Sequence, residues 1–299
     1  MFRPMKLGVC VPNYGETSTP DAIQRIAVEA EQLGFDSVWC TDHLLMPRNS
    51  GTPYERIFES ITTLGYLAGV TSKVRLGFSS LIIAMRNPVV VAKQLATIDN
   101  LSNGRVILAT SAGWNEKEFS NLGSNFHNRG RRLNESIRMI RALWNGETSF
   151  ANKILNYHFE DVVLEPQPIQ KHIPIWIAGN SKAAMKRAVM LGDGWHPNLF
   201  PLDVFRSMVA DFRETFPEAK TKMISVRVGL NPRAETSEYR SAQGERRVLL
   251  SGNRAENRQI LQALNEVGVA YLVVVLSPDG KVLVANQIEG MRMTLEDTR

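Results

Sequence analysis

Asp42 and His43 stand side by side where an apolar run, Ser37-Val-Trp-Cys-Thr-Asp42, comes to an end. An imidazole exchanges protons near neutral pH, and an adjacent carboxylate can fix its charge state or orientation. Neighbours along a strand point to opposite faces, so the two need not touch, and a helix-capping aspartate beside a packed histidine is the bland alternative. A second place for chemistry is Ala178-Gly-Asn-Ser181, between an apolar run and a helix-like stretch. Gly179 lets backbone approach a ligand, while Asn180 and Ser181 lie where a helix N-terminus exposes amides, either as an anion site or as plain N-caps. Trp114 and Trp195 fall at the ends of apolar runs and suit the wall of a flat conjugated ring; Trp39 and Trp176 lie within runs and read as core.

Other chemistries are poorly served. The five histidines, His43, His127, His158, His172 and His196, are scattered rather than clustered, so no metal site is expected. A Gly-x-Ser-x-Gly elbow is absent, no apolar run carries a central lysine for a Schiff base, and no Gly-x-Gly-x-x-Gly follows the first run.

The elements that must carry these residues alternate. Leu7–Pro12 reads as a buried strand, and Thr19-Pro20-Asp21 opens a helix whose apolar face, Ala22, Ile23, Ile26, Ala27, Ala30 and Leu33, is stopped by Gly34. The pattern predicts further strands at 37–42, 74–82, 105–112, 174–178, 194–198, 223–230 and 271–276. Helices are predicted at 59–72, 88–101, 131–145, 182–191, 202–216, 254–267 and 281–296. Continuously apolar strands imply burial on both faces, and parallel neighbours need helical crossovers. Eight such units predict an α/β fold, a single (β/α)8 barrel over 1–299; a doubly wound open sheet is the alternative. Phe150, Ile154, Tyr157, Phe159, Val162 and Leu164 predict a β-hairpin inserted before strand five, near 147–165. In a barrel the chemistry belongs at the C-terminal strand ends, here Pro12–Gly15, Asp42-His43, Ser79-Ser80, Ser111–Trp114, Gly179–Ser181, Trp195–Asn198, Leu230-Asn231 and Ser277.

Composition narrows the class further. The 299 residues are 43% hydrophobic and 22% charged, values of a globular chain with ample core. No apolar run reaches the ~18 residues of a membrane span, and the stretch MFRPMKLGVCVPN is too short in apolar residues for a secretory signal, so a cytoplasmic protein is expected. Cys10 and Cys40 are then expected as two buried thiols rather than a disulfide. A net charge of +5, with no basic block longer than Arg129-Gly-Arg-Arg132, suits an anionic small ligand and argues against nucleic acid or a membrane as partner.

Taken together and in order, the strand ends resemble the bacterial luciferase-like family of flavin- and deazaflavin-dependent oxidoreductases. The resemblance runs from about Leu7 to Asn198, and more weakly through Gly268-Val-Ala-Tyr-Leu-Val-Val at strand eight. It rests on Glu31-Gln-Leu-Gly-Phe-Asp-Ser-Val-Trp39 leading into Asp42-His43, Arg75-Leu-Gly-Phe-Ser-Ser-Leu81, and Asn87-Pro88. It continues through Ala92-Lys-Gln-Leu-Ala-Thr-Ile-Asp-Asn-Leu-Ser-Asn-Gly-Arg105, Gly113-Trp114, Pro174-Ile-Trp-Ile-Ala-Gly179 and Gly192-Asp-Gly-Trp195. Chain length and the hairpin before strand five look more like the branch that uses coenzyme F420.

The resemblance implies a barrel holding F420, or alternatively FMN, at its C-terminal mouth. It implies a cis peptide at Ser79–Ser80 forming a bulge behind the ring, His43 near the ring as an acid/base, and Gly179, Asn180 and Ser181 on the phosphate. Asp42, Ala112, Gly113 and Trp195 complete the expected cofactor site, and Tyr14, Trp114 and Asn198 the expected substrate pocket. The implied activity is hydride transfer to or from a small organic substrate through F420. FMN-dependent monooxygenation, or a catalytically silent flavin-binding barrel, are the alternatives; a homodimer is compatible with each. Trp114 stands where the F420-dependent glucose-6-phosphate dehydrogenases of this family place a glutamate. Pro47 stands for a tryptophan and Tyr14 for an acidic residue of theirs, so an apolar or aromatic substrate is expected rather than a sugar phosphate.

Overall fold

The computed structural model describes residues 5–241 and 243–298. In chain order its elements are β1 (Lys6–Cys10), α1 (Pro20–Leu33), β2 (Ser37–Cys40), α2 (Ser60–Val70), β3 (Arg75–Phe78), α3 (Pro88–Leu101), β4 (Val106–Thr110), α4 (Glu116–Asn121) and α5 (Arg129–Trp144). There follow β5 (Phe150–Asn152), β6 (Tyr157–Phe159), β7 (Ile175–Ala178), α6 (Lys182–Leu191), β8 (Gly194–His196), α7 (Leu202–Thr215) and β9 (Met223–Leu230). The chain continues with β10 (Glu238–Arg240), β11 (Arg246–Leu250), α8 (Arg254–Glu266), β12 (Tyr271–Val275) and α9 (Val284–Asp297), with short 3-10 turns between some of them.

Strands β1, β2, β3, β4, β7, β8, β9 and β12 pair in parallel, each with the next, and β12 pairs with β1. The sheet therefore closes as an eight-stranded barrel with helices outside, the expected (β/α)8 fold. β5 and β6 form the separate antiparallel hairpin between the fourth and fifth barrel strands, in the register Phe150↔Phe159, Ala151↔His158 and Asn152↔Tyr157. The helix starts follow local chemistry. Thr19 accepts the Ala22 amide at 3.1 Å with Pro20 at the first helical position, and Asn87 accepts the Val89 amide at 3.0 Å ahead of Pro88.

One stretch departs from the alternation. Residues 231–253, between the predicted strand at 223–230 and helix at 254–267, carry a two-stranded ribbon. β11 continues the sheet beside β9 (Leu249↔Gly229, Leu250↔Leu230), and β10 pairs antiparallel to β11. The ribbon leans over one side of the barrel mouth.

The core has two layers. A large one fills the space between sheet and helices. A smaller one plugs the barrel itself: Trp39, Trp176, Ile107, Ala109, Tyr271, Val273, Val275, Cys10 and Tyr14. Trp39 fits because its neighbouring strands carry no side chains beside it. A Cβ on Gly8 or Gly77 would lie 2.3 Å from the indole. Its ring packs 5.2 Å from Trp176 and its Nε1 donates to Ser37 Oγ at 2.6 Å. Trp39 and Trp176 are thus the expected core residues, and Cys10 and Cys40 are buried free thiols.

Arg105 ties this frame together beneath β3 and β4. Its buried guanidinium donates to the carbonyls of Ser102 (2.7 Å), Val74 (2.8 Å), Thr71 (2.9 Å) and Ala68 (3.0 Å), and to Thr71 Oγ1 (2.9 Å). Arg105→Met would strand several buried carbonyls at once. The expected loss is about 3 kcal/mol of unfolding free energy, measured by urea titration; a loss under ~1 kcal/mol would show that water reaches these carbonyls.

Candidate active site

Two cavities open at the C-terminal end of the barrel. The smaller, about 300 Å³, lies over the ends of β2, β3, β4 and β7; the larger, about 760 Å³, lies between the ends of β1, β9 and β12 and the ribbon. Tyr54, Asn198, Arg227, Ser241 and Arg247 line both, so they form the partition.

Thr41, His43, Ser79, Ser80, Ala112, Gly113 and Trp114 wall one end of the smaller chamber, and Gly179, Asn180 and Ser181 the other. The Ser79–Ser80 peptide is cis, at the place the resemblance implies. Gly113 adopts φ +81°, and a Cβ there would sit 2.7 Å from Phe119 and 2.8 Å from Ile82, so the chain passes close behind the chamber wall.

His43 is buried, and its acid partner is Glu118, not Asp42. Nδ1 lies 2.7 Å from Glu118 Oε2, while Glu118 Oε1 accepts the Leu44 amide at 2.6 Å. Burial acts to raise the Glu118 carboxyl, but the His43 hydrogen bond and the Leu44 and Leu45 amides outweigh it and hold it below the usual range. An ionised Glu118 accepts only, so neutral His43 carries its proton on Nδ1 and leaves the Nε2 lone pair without a protein partner among the described residues. The ring stacks 4.7 Å from Tyr54 and meets Trp114 edge-on at 5.7 Å.

Asp42 also lines the smaller chamber but does not pair with His43. Its carboxylate accepts Ser60 Oγ at 2.7 Å, the Ile82 amide at 2.8 Å and Arg86 Nη2 at 2.5 Å. Asp42 thereby fixes the loop after the Ser79–Ser80 bulge instead of tuning His43.

At the other end of the chamber Gly179 adopts φ +126° and Ser181 caps α6 by accepting the Ala184 amide at 3.2 Å. Asn180 is occupied in bracing: it donates to the Asn198 carbonyl at 2.8 Å and accepts the Asn198 amide at 3.1 Å. Arg129 and Arg187, absent from the sequence expectations, also line this end. Arg129 donates to the Gly113 and Phe126 carbonyls, and Arg187 to Asn134 Oδ1 and the Gly130 carbonyl, so both cations bond to neutral partners.

Trp195 corrects the sequence reading. It is fully buried, packs 4.8 Å from Phe212 of α7, and lies outside both cavities. Its Nε1 donates to the Gly179 carbonyl at 2.8 Å, so it supports the Gly179–Ser181 loop from behind. The next residue, His196, takes the inward position. It stacks on Trp39 at 5.8 Å and bonds through Nδ1 to Ser225 Oγ (2.7 Å) and through Nε2 to Ser79 Oγ (2.8 Å). Ser225 donates onward to the Trp195 carbonyl at 3.4 Å, so its oxygen accepts from Nδ1–H and Ser79 donates to Nε2.

Burial, with a further push from Arg227, pulls the His196 pKa from 6.5 down to about 3. Because the folded state resists protonation, the unfolded chain binds more protons between these values. The contribution of neutral His196 is complete above about pH 6.5 and is lost as pH falls toward about 3, at roughly 1.4 kcal/mol per unit. The melting temperature of His196→Gln should therefore fall less steeply than wild type between pH 6.5 and 4; parallel curves would refute the assignment.

Of the expected substrate residues, Tyr14 lines the larger chamber, Asn198 the partition, and Trp114 the smaller chamber beside His43. Among the described residues no group of three or more metal-ligating side chains occurs, and no helix is long and apolar enough to cross a membrane.

Cavities at the C-terminal mouth of a closed parallel barrel are where barrel enzymes carry their sites. Residues 5–263 match the luciferase-like monooxygenase family model, and the chain belongs to that family of oxidoreductases and monooxygenases. It is similar to an F420-dependent glucose-6-phosphate dehydrogenase of Amycolatopsis mediterranei, 35% identical over 183 residues that cover 59% of this chain and 53% of the relative. It is also similar to an FMNH2-dependent dimethylsulfone monooxygenase of Pseudomonas putida, 28% identical with 77% of this chain and 65% of the relative covered. The match thus spans about half the length of the first relative and under two thirds of the second. Among solved structures, an F420-dependent secondary alcohol dehydrogenase in complex with an F420-acetone adduct superimposes with a TM-score of 0.80 at 18% identity, covering 99% of this chain and all of the other. The F420-dependent tetrahydromethanopterin reductase of Methanopyrus kandleri gives 0.76 at 16%, with the same coverage; these two likenesses speak for the fold.

Proposed function

We propose that this chain is an F420-dependent oxidoreductase acting on a small organic substrate, with the cofactor in the smaller chamber. The observation that carries the reading is the His43–Glu118 pair: a buried, oriented imidazole with a free Nε2 on the wall of that chamber. The residues there suit a flat anionic cofactor. Arg129, Arg187 and the start of α6 offer positive charge for a phosphate at one end. Similarity to F420-dependent relatives at 35% and 32% identity supports the choice of cofactor.

Bound there, a deazaflavin supplies two-electron exchange of hydride with the substrate. The protein's share is to hold the phosphate end at Gly179–Ser181, to seat the ring against Ser79, Ser80, Ala112 and Gly113, and to exclude water with Trp114 and Tyr54. His43 Nε2 takes a proton from a substrate hydroxyl, or returns it from the imidazolium to a carbonyl oxygen, while Glu118 keeps the ring oriented and balances the charge.

A reading with FMN has its own support, because the dimethylsulfone monooxygenase matches more of this chain than the F420-dependent dehydrogenases do. Titrating the purified apo-protein with FMN and F420 separately, followed by cofactor fluorescence, tests the choice. At least tenfold tighter binding of F420 is expected; the reverse order would establish the FMN reading. Turnover of the bound reduced cofactor with an added acceptor excludes a silent binding barrel.

A further inference from the structure

Arg227 carries a charge that no carboxylate among the described residues answers. It stands in the middle of β9, lines both chambers, and sits on their partition. Its Nη2 donates to Thr41 Oγ1 at 3.2 Å, but its Nε is buried with no hydrogen-bond partner. The groups around it are Tyr54, Cys10, Tyr14 and Tyr239. None is a carboxylate, and burial pushes Cys10, Tyr14 and Tyr239 toward their neutral forms.

The carboxylates of the larger chamber do not reach it. Glu16, Glu55, Glu238 and Asp279 are exposed at the rim, where Glu16 pairs with Lys281 and Glu238 with Arg246. The other arginine on the partition, Arg247, is already matched by Glu245 at 2.6 Å. Among the described residues no carboxylate lies within ion-pair range of Arg227. Arg227 is half-buried, so its guanidinium meets the chambers without a counter-ion, and its planar fork is shaped to take a carboxylate through two parallel hydrogen bonds. Inside a rim that also carries Arg56, Arg240 and Lys281, the side chains of Tyr14, Tyr54, Tyr239, Leu249 and Val275 offer an apolar and aromatic stretch of wall.

Building on the smaller chamber as the cofactor site, we propose that the larger chamber binds a small organic acid, its carboxylate on Arg227 and its apolar body among the tyrosines. The acid end then lies on the partition, and the adjoining carbon is presented across it toward His43 and the cofactor side. Arg227 is in this reading the residue that selects acids over neutral compounds of the same shape.

The test uses matched probes: phenylacetate against phenylacetamide, and hexanoate against hexanamide. Each is titrated by tryptophan fluorescence into wild type, Arg227→Gln and Arg227→Lys, with and without saturating FMN or F420. The acids should bind wild type at least tenfold more tightly than the amides. Arg227→Gln should erase that preference and Arg227→Lys keep part of it, while cofactor affinity in both variants stays within about threefold. Amides binding as well as acids, no acid binding at all, or a preference that survives in Arg227→Gln would overturn the proposal. So would competition between acid and cofactor, with cofactor affinity falling tenfold or more in Arg227→Gln, which would hand Arg227 to the cofactor. If wild type prefers acids through Arg227 yet binds neither cofactor, the acid site stands and the cofactor reading fails.

Discussion

His43→Ala lowers turnover at least tenfold, toward the ~10²–10⁴-fold that positioned acid–base groups supply, while cofactor affinity moves by less than about threefold. The asymmetry follows from the geometry. The imidazole touches Glu118, Tyr54 and Trp114, whereas the end of the chamber proposed to take the phosphate is built by Gly179–Ser181 and two arginines on other elements. Glu118→Gln should also depress kcat, because an amide NH2 facing Nδ1 favours the opposite tautomer. The double variant should be little worse than His43→Ala alone, since the carboxylate acts through the ring. Full turnover in His43→Ala, or loss of the cofactor from it, would reduce His43 to a packing or ring-binding residue.

Gly179→Asp is expected to raise the dissociation constant of either cofactor by at least tenfold, read by fluorescence titration. The residue sits at φ +126°, where L side chains are rare, and its Cβ would lie 3.2 Å from the Cβ of Ala184 in the first turn of α6. The new carboxylate would also occupy the positive end of the chamber with the wrong sign. Gly179→Ala separates the two effects: it keeps the backbone strain and drops the charge, so it should weaken binding less than the aspartate does. Unchanged affinity in Gly179→Asp would remove the phosphate from this loop.

The barrel was legible because its strands are apolar on both faces and its helices begin with strong local signals, such as Thr19-Pro20 and Asn87-Pro88. What sequence could not fix was facing and long-range pairing. In the three residues Gly194-Trp-His196 a shift of one place exchanges inside for outside, and Trp195 was assigned to the mouth although His196 takes the inward side. The acid that serves His43 lies 75 residues away on α4, beyond any local spacing rule. Arg227 did leave a sign, a single cation inside the apolar run Ile-Ser-Val-Arg-Val-Gly, but only barrel closure shows that it points to the mouth. The ribbon at 238–250 leaves little mark in the sequence because its strands are short and flanked by polar residues; Arg246-Arg247-Val-Leu-Leu250 has no alternation.

That ribbon is joined to the barrel sheet through two paired residues of β11 and β9, and its outer strand is edged by Glu238 and Arg240. Closure of the eight strands does not pass through it. Yet it supplies Tyr239, Ser241 and Arg247 to the chamber walls. Ligand choice and barrel integrity are therefore written in separable parts of the chain. A lineage could exchange or reshape the segment between β9 and α8, altering the walls of both chambers, without reopening the problem of folding the barrel.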